Sequence, residues 1–319
     1  MMEPEVRDAM TKAFSDALLA RRFEERVTQL SMAGEIPATL HLGAGHEVCQ
    51  ASAISALGPD DQVLYGHRGS CYMVARGTPI AAILADIANK EGGTNRGKGG
   101  VMHVVDVPRG VLGESGTLGG GFVIAAGVGM ALQRFGKGQV VTHFFGDGTS
   151  NRGTFHESVN WAAVQKLPII FFCENNGWAV SVPSTRTHAV PDISARAHGY
   201  GIPGVVVDGT DGFAVYEVMR AAVARARRGD GPTLIEAKVT RMFGHYIGDQ
   251  QQYRPDAEEA SHRDPLPGFQ EAVIQAGIMD AAAVASLEAE IARRVDEAVE
   301  TVRSAAMLAP ELALADTYA

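Results

Sequence analysis

Four short apolar runs separated by helical patterns constrain the fold of this chain more than any other feature of its sequence. The runs are residues 139–145, 168–173, 204–207 and 233–239. The helical patterns between them cover residues 154–166, 192–199 and 212–228. Strands that alternate with helices form βαβ units, in which the strands run parallel and helices cover both faces of the sheet. The sequence therefore predicts an α/β fold.

Further helical patterns flank this core at both ends of the chain. Residues 4–33 bring apolar side chains to one face at helical spacing, residues 46–57 and 78–90 are helical as well, and residues 281–305 form a long amphipathic pattern. The stretch QVLYGHRGS reads as a short strand that runs into a loop. We predict one domain over residues 1–319. Its parts are a helical N-terminal extension (1–60), an α/β core with the ligand site (61–245), and a loop with a C-terminal helix (246–319).

Composition excludes several classes of protein. The 319 residues carry a net charge of −9 and show no block of Lys or Arg, so we do not expect nucleic-acid binding. The three cysteines are scattered, which favours a reducing compartment over a disulfide framework or a structural zinc site. The first ten residues, MMEPEVRDAM, lack the apolar region of a signal peptide, and no apolar run reaches the length of a membrane span. We expect a cytoplasmic protein with no membrane partner.

One predicted helix, residues 122–135 (FVIAAGVGMALQRF), is apolar almost all round. A helix of this kind has to be buried on every side. We therefore expect the glycine-rich segment 119–135 to be buried and to form a contact between subunits.

An aspartate and an asparagine each follow one of the predicted strands. Asp147 stands between two glycines directly after residues 139–145, and Asn176 follows the strand that begins at Pro168. A right-handed crossover places the carboxyl ends of both strands on one edge of the sheet, where α/β proteins bind ligands. Carboxylate and amide oxygens suit magnesium, and the helix start after Gly148 and Thr149 suits a phosphate. The pair predicts a magnesium–diphosphate site.

Other interpretations of these residues are weaker. A lone GDG is most often a turn and a lone NN a loop cap, but their spacing across one βαβ unit favours a ligand site. The GxGxxG of a Rossmann dinucleotide site is missing, because Gly127 and Gly129 are followed by Met, Ala and Leu within an apolar helix. The chain also has no GxxxxGK[ST], which excludes a P-loop.

The run GDGTSNRGTFHESVNWAAVQKLPIIFFCENNGW resembles the thiamine-diphosphate motif, a GDG followed about thirty residues later by NN. More narrowly, the chain is similar to the α subunits of heterotetrameric E1 2-oxo acid dehydrogenases of the pyruvate and acetoin branch. The similarity extends from HLGAGHE at residue 41 to the YR at 253–254 and includes GKGGVMHVV, LGESGTLGGGF and GPTLIEAKVTRMFGH. The ending GHYIGDQQQYR is most similar to acetoin-cleaving members.

The resemblance implies a role for each matching residue. Magnesium would be held by Asp147, Asn176 and the backbone carbonyl of Trp178. Residues that would contact the cofactor are His67, Arg68, Gly116, Leu118, Gly148, Thr149, Arg241 and His245. Leu118 would be the wedge that keeps the cofactor bent, Arg68 and Arg241 would assist the phosphates, and His41 and His245 would face the cofactor as catalytic groups.

This chain departs from the family pattern at two places. Ser70 stands where a catalytic histidine near the reactive carbon is usual, and a serine hydroxyl can hydrogen-bond but cannot shuttle protons near neutral pH. The motif HLxxGQE reads HLGAGHE, so that His46 replaces a glutamine. Ser70 could alter substrate range, and the change at His46 could compensate or be silent. Tyr246 replaces a serine that is phosphorylated in some eukaryotic relatives, so we expect no such regulation.

The resemblance also implies partners and an activity. The cofactors would be thiamine diphosphate and magnesium, and the chain would be inactive without an E1 β subunit, with which it forms an α2β2 heterotetramer. The reaction would cleave acetoin or decarboxylate a small 2-oxo acid such as pyruvate, and the acyl unit would pass to a lipoyl E2 partner. The alternatives are a branched-chain or other 2-oxo acid, with Ser70 widening the pocket, and a non-catalytic assembly subunit.

Overall fold

A six-stranded parallel sheet forms the centre of the protein, with the strand order β2-β1-β3-β4-β8-β7. The computed structural model describes residues 2–37, 40–114, 116–255, 263–312 and 314–315. The sheet strands are β1 (Gln62–Leu64), β2 (Val111–Gly113), β3 (Val141–Gly146), β4 (Ile169–Asn175), β7 (Gly204–Asp208) and β8 (Thr233–Lys238). A separate antiparallel pair consists of β5 (Trp178–Ala179) and β6 (Val182–Pro183). The parallel sheet confirms the predicted α/β fold class.

Nine helices surround the sheet in the described part of the chain. They are α1 (Pro4–Met32), α2 (Glu47–Ser55), α3 (Cys71–Ala75), α4 (Ile80–Ile87), α5 (Gly120–Phe135), α6 (Gly153–Gln165), α7 (Gly212–Arg227), α8 (Pro265–Gln275) and α9 (Ala281–Ser304). Three of them begin at an aspartate whose carboxylate accepts hydrogen bonds from the first-turn backbone, as Asp211 does at α7. None of the described helices is both long enough and apolar enough to cross a membrane.

The two faces of the sheet build separate cores because successive side chains of a strand point to opposite faces. Ile170 and Phe172 of β4 pack with Phe144 of β3 into the larger core, which contains α1–α4 and α7–α9. The intervening Ile169 and Phe171 belong to the smaller core, formed with α5 and α6. Both faces of β4 are therefore buried, which explains why its sequence is continuously apolar.

Several elements differ from the sequence prediction. Residues 111–113 form β2, a three-residue edge strand next to β1 that the apolar pattern did not predict. Such a short strand between glycines leaves no periodic pattern to detect. Residues 193–200 form a 3-10 helix where an α-helix was expected, and α8 (Pro265–Gln275) was missed within the segment assigned to a loop.

The expectation that the helix over residues 122–135 is buried all round is wrong for this chain by itself. One face of α5 packs on the sheet through Phe122, Ala125 and Gly129, whereas other apolar side chains of the helix are exposed. The exposed set is Val123, Ile124, Met130 and Phe135, and Phe135 is 78% exposed. The apolar composition of the helix therefore exceeds what this chain can bury.

A single carboxylate organises the glycine-rich loop after α4. Asp86 is fully buried, and its carboxylate accepts hydrogen bonds from the backbone N–H groups of Thr94, Asn95 and Gly97 and from the Thr94 hydroxyl. A buried carboxylate needs such donors, because burial without hydrogen bonds is costly. Asp86 thus fixes a loop that has no regular secondary structure.

Candidate active site

A cavity of about 300 Å³ lies at the carboxyl edge of the parallel sheet. Four neighbouring strands of the sheet each lead into residues that line this cavity: β1 leads to His67 and Arg68, β2 to Glu114, β3 to Asp147 and β4 to Asn176. The structure brings together all the predicted site residues except Ser70 and Arg241. The predicted residues that line the cavity are His41, His67, Arg68, Gly116, Leu118, Asp147, Gly148, Thr149, Asn176, Trp178 and His245.

The cavity holds an unpaired oxygen of Asp147. This residue is 2% exposed, and its Oδ2 has no hydrogen-bond partner among the described residues. Burial raises the pKa of the carboxyl to about 6, although the backbone N–H groups of Asp147 and Gly148 act in the opposite direction. The Asn176 Oδ1 atom accepts a hydrogen bond from Trp178 N at 3.1 Å and keeps a second lone pair. These side-chain oxygens suit a hard divalent cation.

The turn after Asp147 is built for close approach of a ligand. Residues Asp147–Asn151 form a 3-10 helix that leads directly into α6 at Gly153. A Cβ atom at Gly148 would lie 2.6 Å from the Ala179 Cβ atom, so a larger residue would displace the loop that carries Trp178. Free backbone N–H groups at the start of a helix attract anions, and phosphate in particular.

Three imidazoles meet at the opposite wall of the cavity. The centroid of the His41 ring lies 4.8 Å from that of the His67 ring and 4.7 Å from that of the His245 ring. Burial, followed by the positive charge of Arg68, lowers the pKa of His41 and of His245 to about 4 and lowers that of His67 as well. All three rings are therefore neutral near pH 7, and they can donate or accept hydrogen bonds without adding charge.

Arg68 supplies the positive charge of the site. Its guanidinium donates to the Leu42 carbonyl oxygen at 2.9 Å and to Nδ1 of His245 at 3.2 Å. Burial lowers the pKa of Arg68 to about 10, so the group remains charged at neutral pH. No carboxylate among the described residues pairs directly with Arg68, and a buried cation in this state is suited to an anionic ligand.

Glu114 is a cavity residue that sequence reasoning missed. It follows β2, and burial raises the pKa of its carboxyl to about 7. Its Oε2 is buried and lacks a hydrogen-bond partner in the described part of the chain, as do Nδ1 of His41 and Nε2 of His67. The one available signal was an acidic residue within a glycine-rich stretch, which spacing alone cannot place in a site.

Glu174, Tyr72 and His46 also line the cavity and were not predicted as site residues. Glu174 is the last residue but one of β4, directly before the asparagine pair. The Tyr72 hydroxyl donates to Glu174 Oε2, and His46 Nδ1 lies 3.0 Å from Glu174 Oε1. An acidic residue near the end of an otherwise apolar strand was the available signal.

The structure does not bring Ser70 or Arg241 into the cavity. Ser70 caps the start of α3, and its hydroxyl donates to Glu24 Oε1 at 2.9 Å. Arg241 is 1% exposed and donates to the Val180 carbonyl oxygen and to the Tyr253 hydroxyl, both at 2.9 Å. Both side chains thus support neighbouring segments: Arg241 holds the cavity residue Val180, and its charge opposes the rise in the pKa of Asp147.

This fold and this site define a class: an α/β protein whose cavity at the carboxyl edge of a parallel sheet is suited to an anion and a cation. Comparison with known families then identifies the chain. The family model described as the dehydrogenase E1 component matches residues 15–311, so the chain belongs to that family, whose members use thiamine diphosphate. The predicted assignment as an E1 α subunit is confirmed.

Individual relatives support the same assignment. The chain is 41% identical to the alpha subunit of acetoin:2,6-dichlorophenolindophenol oxidoreductase from Cupriavidus necator, over 93% of this chain and 90% of the relative. It is 34% identical to the pyruvate dehydrogenase E1 alpha subunit of Porphyra purpurea, over 91% and 87%. It is 36% identical to the 2-oxoisovalerate dehydrogenase alpha subunit of Bacillus subtilis, over 95% and 93%.

Proposed function

We propose that this chain is the α subunit of an E1 enzyme that holds the magnesium and diphosphate end of thiamine diphosphate and acts on acetoin or a small 2-oxo acid. The observation that carries the proposal is the convergence of unpaired buried atoms on one cavity: Asp147 Oδ2, Glu114 Oε2, His41 Nδ1 and His67 Nε2. Buried polar atoms normally have partners. Four residues that line one cavity each carry such an atom with no partner in the described part of the chain, which indicates that the cavity is suited to a polar ligand.

The residues present fit thiamine diphosphate and magnesium. Asp147 and Asn176 would bind the cation through side-chain oxygens, together with the Trp178 carbonyl oxygen. The backbone of Gly148 and Thr149 would bind diphosphate oxygens. Arg68 would add a charge-assisted hydrogen bond, because its guanidinium already faces the cavity. When bound, the cofactor supplies a carbanion and an electron sink, which no protein side chain provides.

The chain's own side chains would orient the ligand and exclude water. Leu118 is 48% exposed at the cavity edge, where an apolar wedge could set the bend of the cofactor. The neutral rings of His41 and His245 can each hold a proton at one nitrogen and accept at the other. In that state they can stabilise a substrate oxygen without repelling a cationic cofactor ring.

A partner chain would complete the site. The subunit-alpha relatives imply a β subunit, and we propose an α2β2 assembly in which β supplies the pyrimidine half of the cofactor site. Support comes from the apolar face of α5, where Val123, Ile124, Met130 and Phe135 remain exposed in this chain. Exposed apolar patches of this kind are typical of contacts between proteins.

The acetoin-type relatives and the match at GHYIGDQQQYR favour acetoin as substrate, with pyruvate or a branched 2-oxo acid as alternatives. In each case the two-carbon or acyl unit would be passed to a lipoyl group on an E2 partner. Ser70 does not line the cavity, so the proposal that it widens the substrate pocket has no support from the positions of these side chains.

Calorimetry of the complex co-purified with its β chain tests the cofactor site. We expect magnesium-dependent binding of thiamine diphosphate to the wild type and at least a hundredfold weaker binding to Asp147→Ala, because the variant removes a charged ligand. Gly199→Ala is a matched control, since its added Cβ meets no atom within 4 Å. A folded wild-type complex that binds no cofactor would contradict the proposal and favour a non-catalytic assembly subunit.

Substrate choice requires a separate assay. Reduction of 2,6-dichlorophenolindophenol by the loaded complex can be followed with acetoin, pyruvate and 2-oxoisovalerate as alternative donors. We expect acetoin to give the highest kcat/KM. A preference for 2-oxoisovalerate would leave the cofactor site intact and assign the enzyme to the branched-chain branch.

A further inference from the structure

A buried chain of hydrogen bonds leads from Glu174 to the proposed metal ligand Asn176. His46 Nδ1 lies 3.0 Å from Glu174 Oε1, and the Asn176 amide nitrogen lies 3.4 Å from His46 Nε2. His46 is 1% exposed and Glu174 is 4% exposed. The interaction therefore takes place away from bulk water, where hydrogen bonds are strong and unpaired groups are costly.

The contacts of Asn176 show where the His46 proton lies. The Trp178 N–H donates to Asn176 Oδ1, so the other end of this amide is its NH2 group, which can only donate. His46 Nε2 therefore accepts from Asn176, and Nδ1 carries the N–H that faces Glu174 Oε1. Gln50 Nε2 also donates to Glu174 Oε1 at 2.9 Å, and the Tyr72 hydroxyl donates to Oε2.

Holding the nitrogen of an amide also fixes its oxygen. Asn176 Oδ1 receives the Trp178 N–H at 3.1 Å, which closes a local turn. The amide nitrogen is held by His46, and one lone pair of Oδ1 accepts the Trp178 N–H. The second lone pair of Oδ1 therefore remains available for a cation. A rotated amide would present two N–H groups to the cation and lose it.

We infer that His46 is a positioning residue: Glu174 sets its tautomer, and its free Nε2 orients the Asn176 amide so that the oxygen can bind the metal. The inference rests on the proposed function, because it assigns a role toward the magnesium ion of that site. Groups of this kind, which hydrogen-bond to a metal ligand, typically change metal affinity by 10–100-fold when they are removed.

The same argument explains how His46 can replace the glutamine of the resembling family. A glutamine amide carries a donor and an acceptor at its end. Its nitrogen could donate to Glu174 while its oxygen accepts from Asn176, which reproduces both contacts of the His46 ring. A leucine or a methionine of similar bulk offers neither contact. His46→Gln is therefore the conservative variant, and His46→Leu is the disabling one.

The test measures metal affinity directly, without turnover. Mn²⁺ replaces Mg²⁺ as the probe, and the unbound ion is quantified by electron paramagnetic resonance with the co-purified αβ complex at saturating thiamine diphosphate. We expect His46→Leu to weaken Mn²⁺ binding by at least tenfold and His46→Gln to stay within about threefold of wild type. His46→Met is the second disabling variant if the leucine variant does not fold.

Gln50→Leu serves as a matched control for general damage to the network. It removes a different buried hydrogen bond to the same Glu174 oxygen, and the described hydrogen bonds of Gln50 go to Glu174 and Arg68 rather than to Asn176. We expect its Mn²⁺ affinity to remain near that of wild type even if its melting temperature falls. This comparison separates a positioning role from a merely structural one.

Two results would overturn the inference while leaving the proposed function intact. One is wild-type Mn²⁺ affinity in a folded His46→Leu or His46→Met variant. The other is an equal loss in His46→Gln, or in Gln50→Leu, which would show that any change near Glu174 disturbs the site. If the wild-type complex itself binds no Mn²⁺, then the proposed function fails and this inference fails with it.

Discussion

Replacing Glu114 by glutamine should remove the fall in cofactor affinity that Glu114 itself causes between pH 6 and pH 8. Glu114 lines the same cavity as Asp147 and Arg68, and no group pairs with its buried Oε2 among the described residues. An ionised Glu114 would repel a diphosphate, whereas the neutral acid could donate a hydrogen bond to it. Binding of the cofactor should therefore select the protonated form and take up a proton.

The size of the effect follows from the pKa of Glu114, which burial raises to about 7. The protonated fraction of such a group falls from about nine tenths at pH 6 to about one tenth at pH 8. If only the neutral form accepts the diphosphate, the affinity should fall roughly tenfold across this range. His41 and His245, with pKa values of about 4, stay neutral throughout and do not contribute.

Titration calorimetry at pH 6, 7 and 8 can measure this change. Each experiment would use two buffers that differ in ionisation enthalpy, because the difference in apparent enthalpy reports proton uptake. The Glu114→Gln complex is the control for protons gained or lost by the cofactor itself. The ratio of wild-type to variant affinity should fall about tenfold from pH 6 to pH 8. A ratio that does not change with pH would refute the reasoning.

Three further predictions concern the fold and its surfaces. Phe122→Ala, at a fully buried ring, should lower the free energy of unfolding by about 3–5 kcal/mol in urea, and a loss below about 1 kcal/mol would contradict its place in the smaller core. Asp86→Ala should expose the loop that Asp86 organises, so that trypsin cleaves at Arg96 faster than in wild type. Unchanged cleavage would indicate that the glycine-rich loop keeps its conformation without the Asp86 carboxylate. Ile124→Asp should reduce the mass of the complex in light scattering while leaving the melting temperature of the isolated chain unchanged, and an intact assembly would exclude this face as a contact.

The sequence predicted those parts of the fold that repeat a pattern. The strands β3, β4 and β8 are mainly apolar because they are buried inside the parallel sheet, and such runs are visible without a structure. The edge strand β7 was also detected from its run of valines, although Val206 is 45% exposed. By contrast, β2 spans only three residues, Val111–Gly113, and its pairing with β1 depends on a distant segment. A short edge strand has no signal of its own.

The candidate site was predictable where metal-binding or polar residue types directly follow an apolar strand. Asp147 and Asn176 follow strands directly, so topology alone brings them together. Ser70 was assigned from a family position, yet its hydroxyl donates to Glu24, a partner on α1 that no local pattern reveals. Glu114 was missed because its position in the cavity depends on β2.

The strand order also determines when the site can form during synthesis. β8 (Thr233–Lys238) lies between β4 and β7, although both of those strands precede it in the chain. Until β8 leaves the ribosome, β4 and β7 each expose an unpaired edge that could pair with the other strand in error. Val239 N then donates to the Asn175 carbonyl oxygen at 3.0 Å, next to Asn176. The loop that carries the proposed metal ligand Asn176 is thus secured by one of the last segments of the sheet to be made, and we expect that a nascent chain cannot form the proposed cofactor site before that strand is in place.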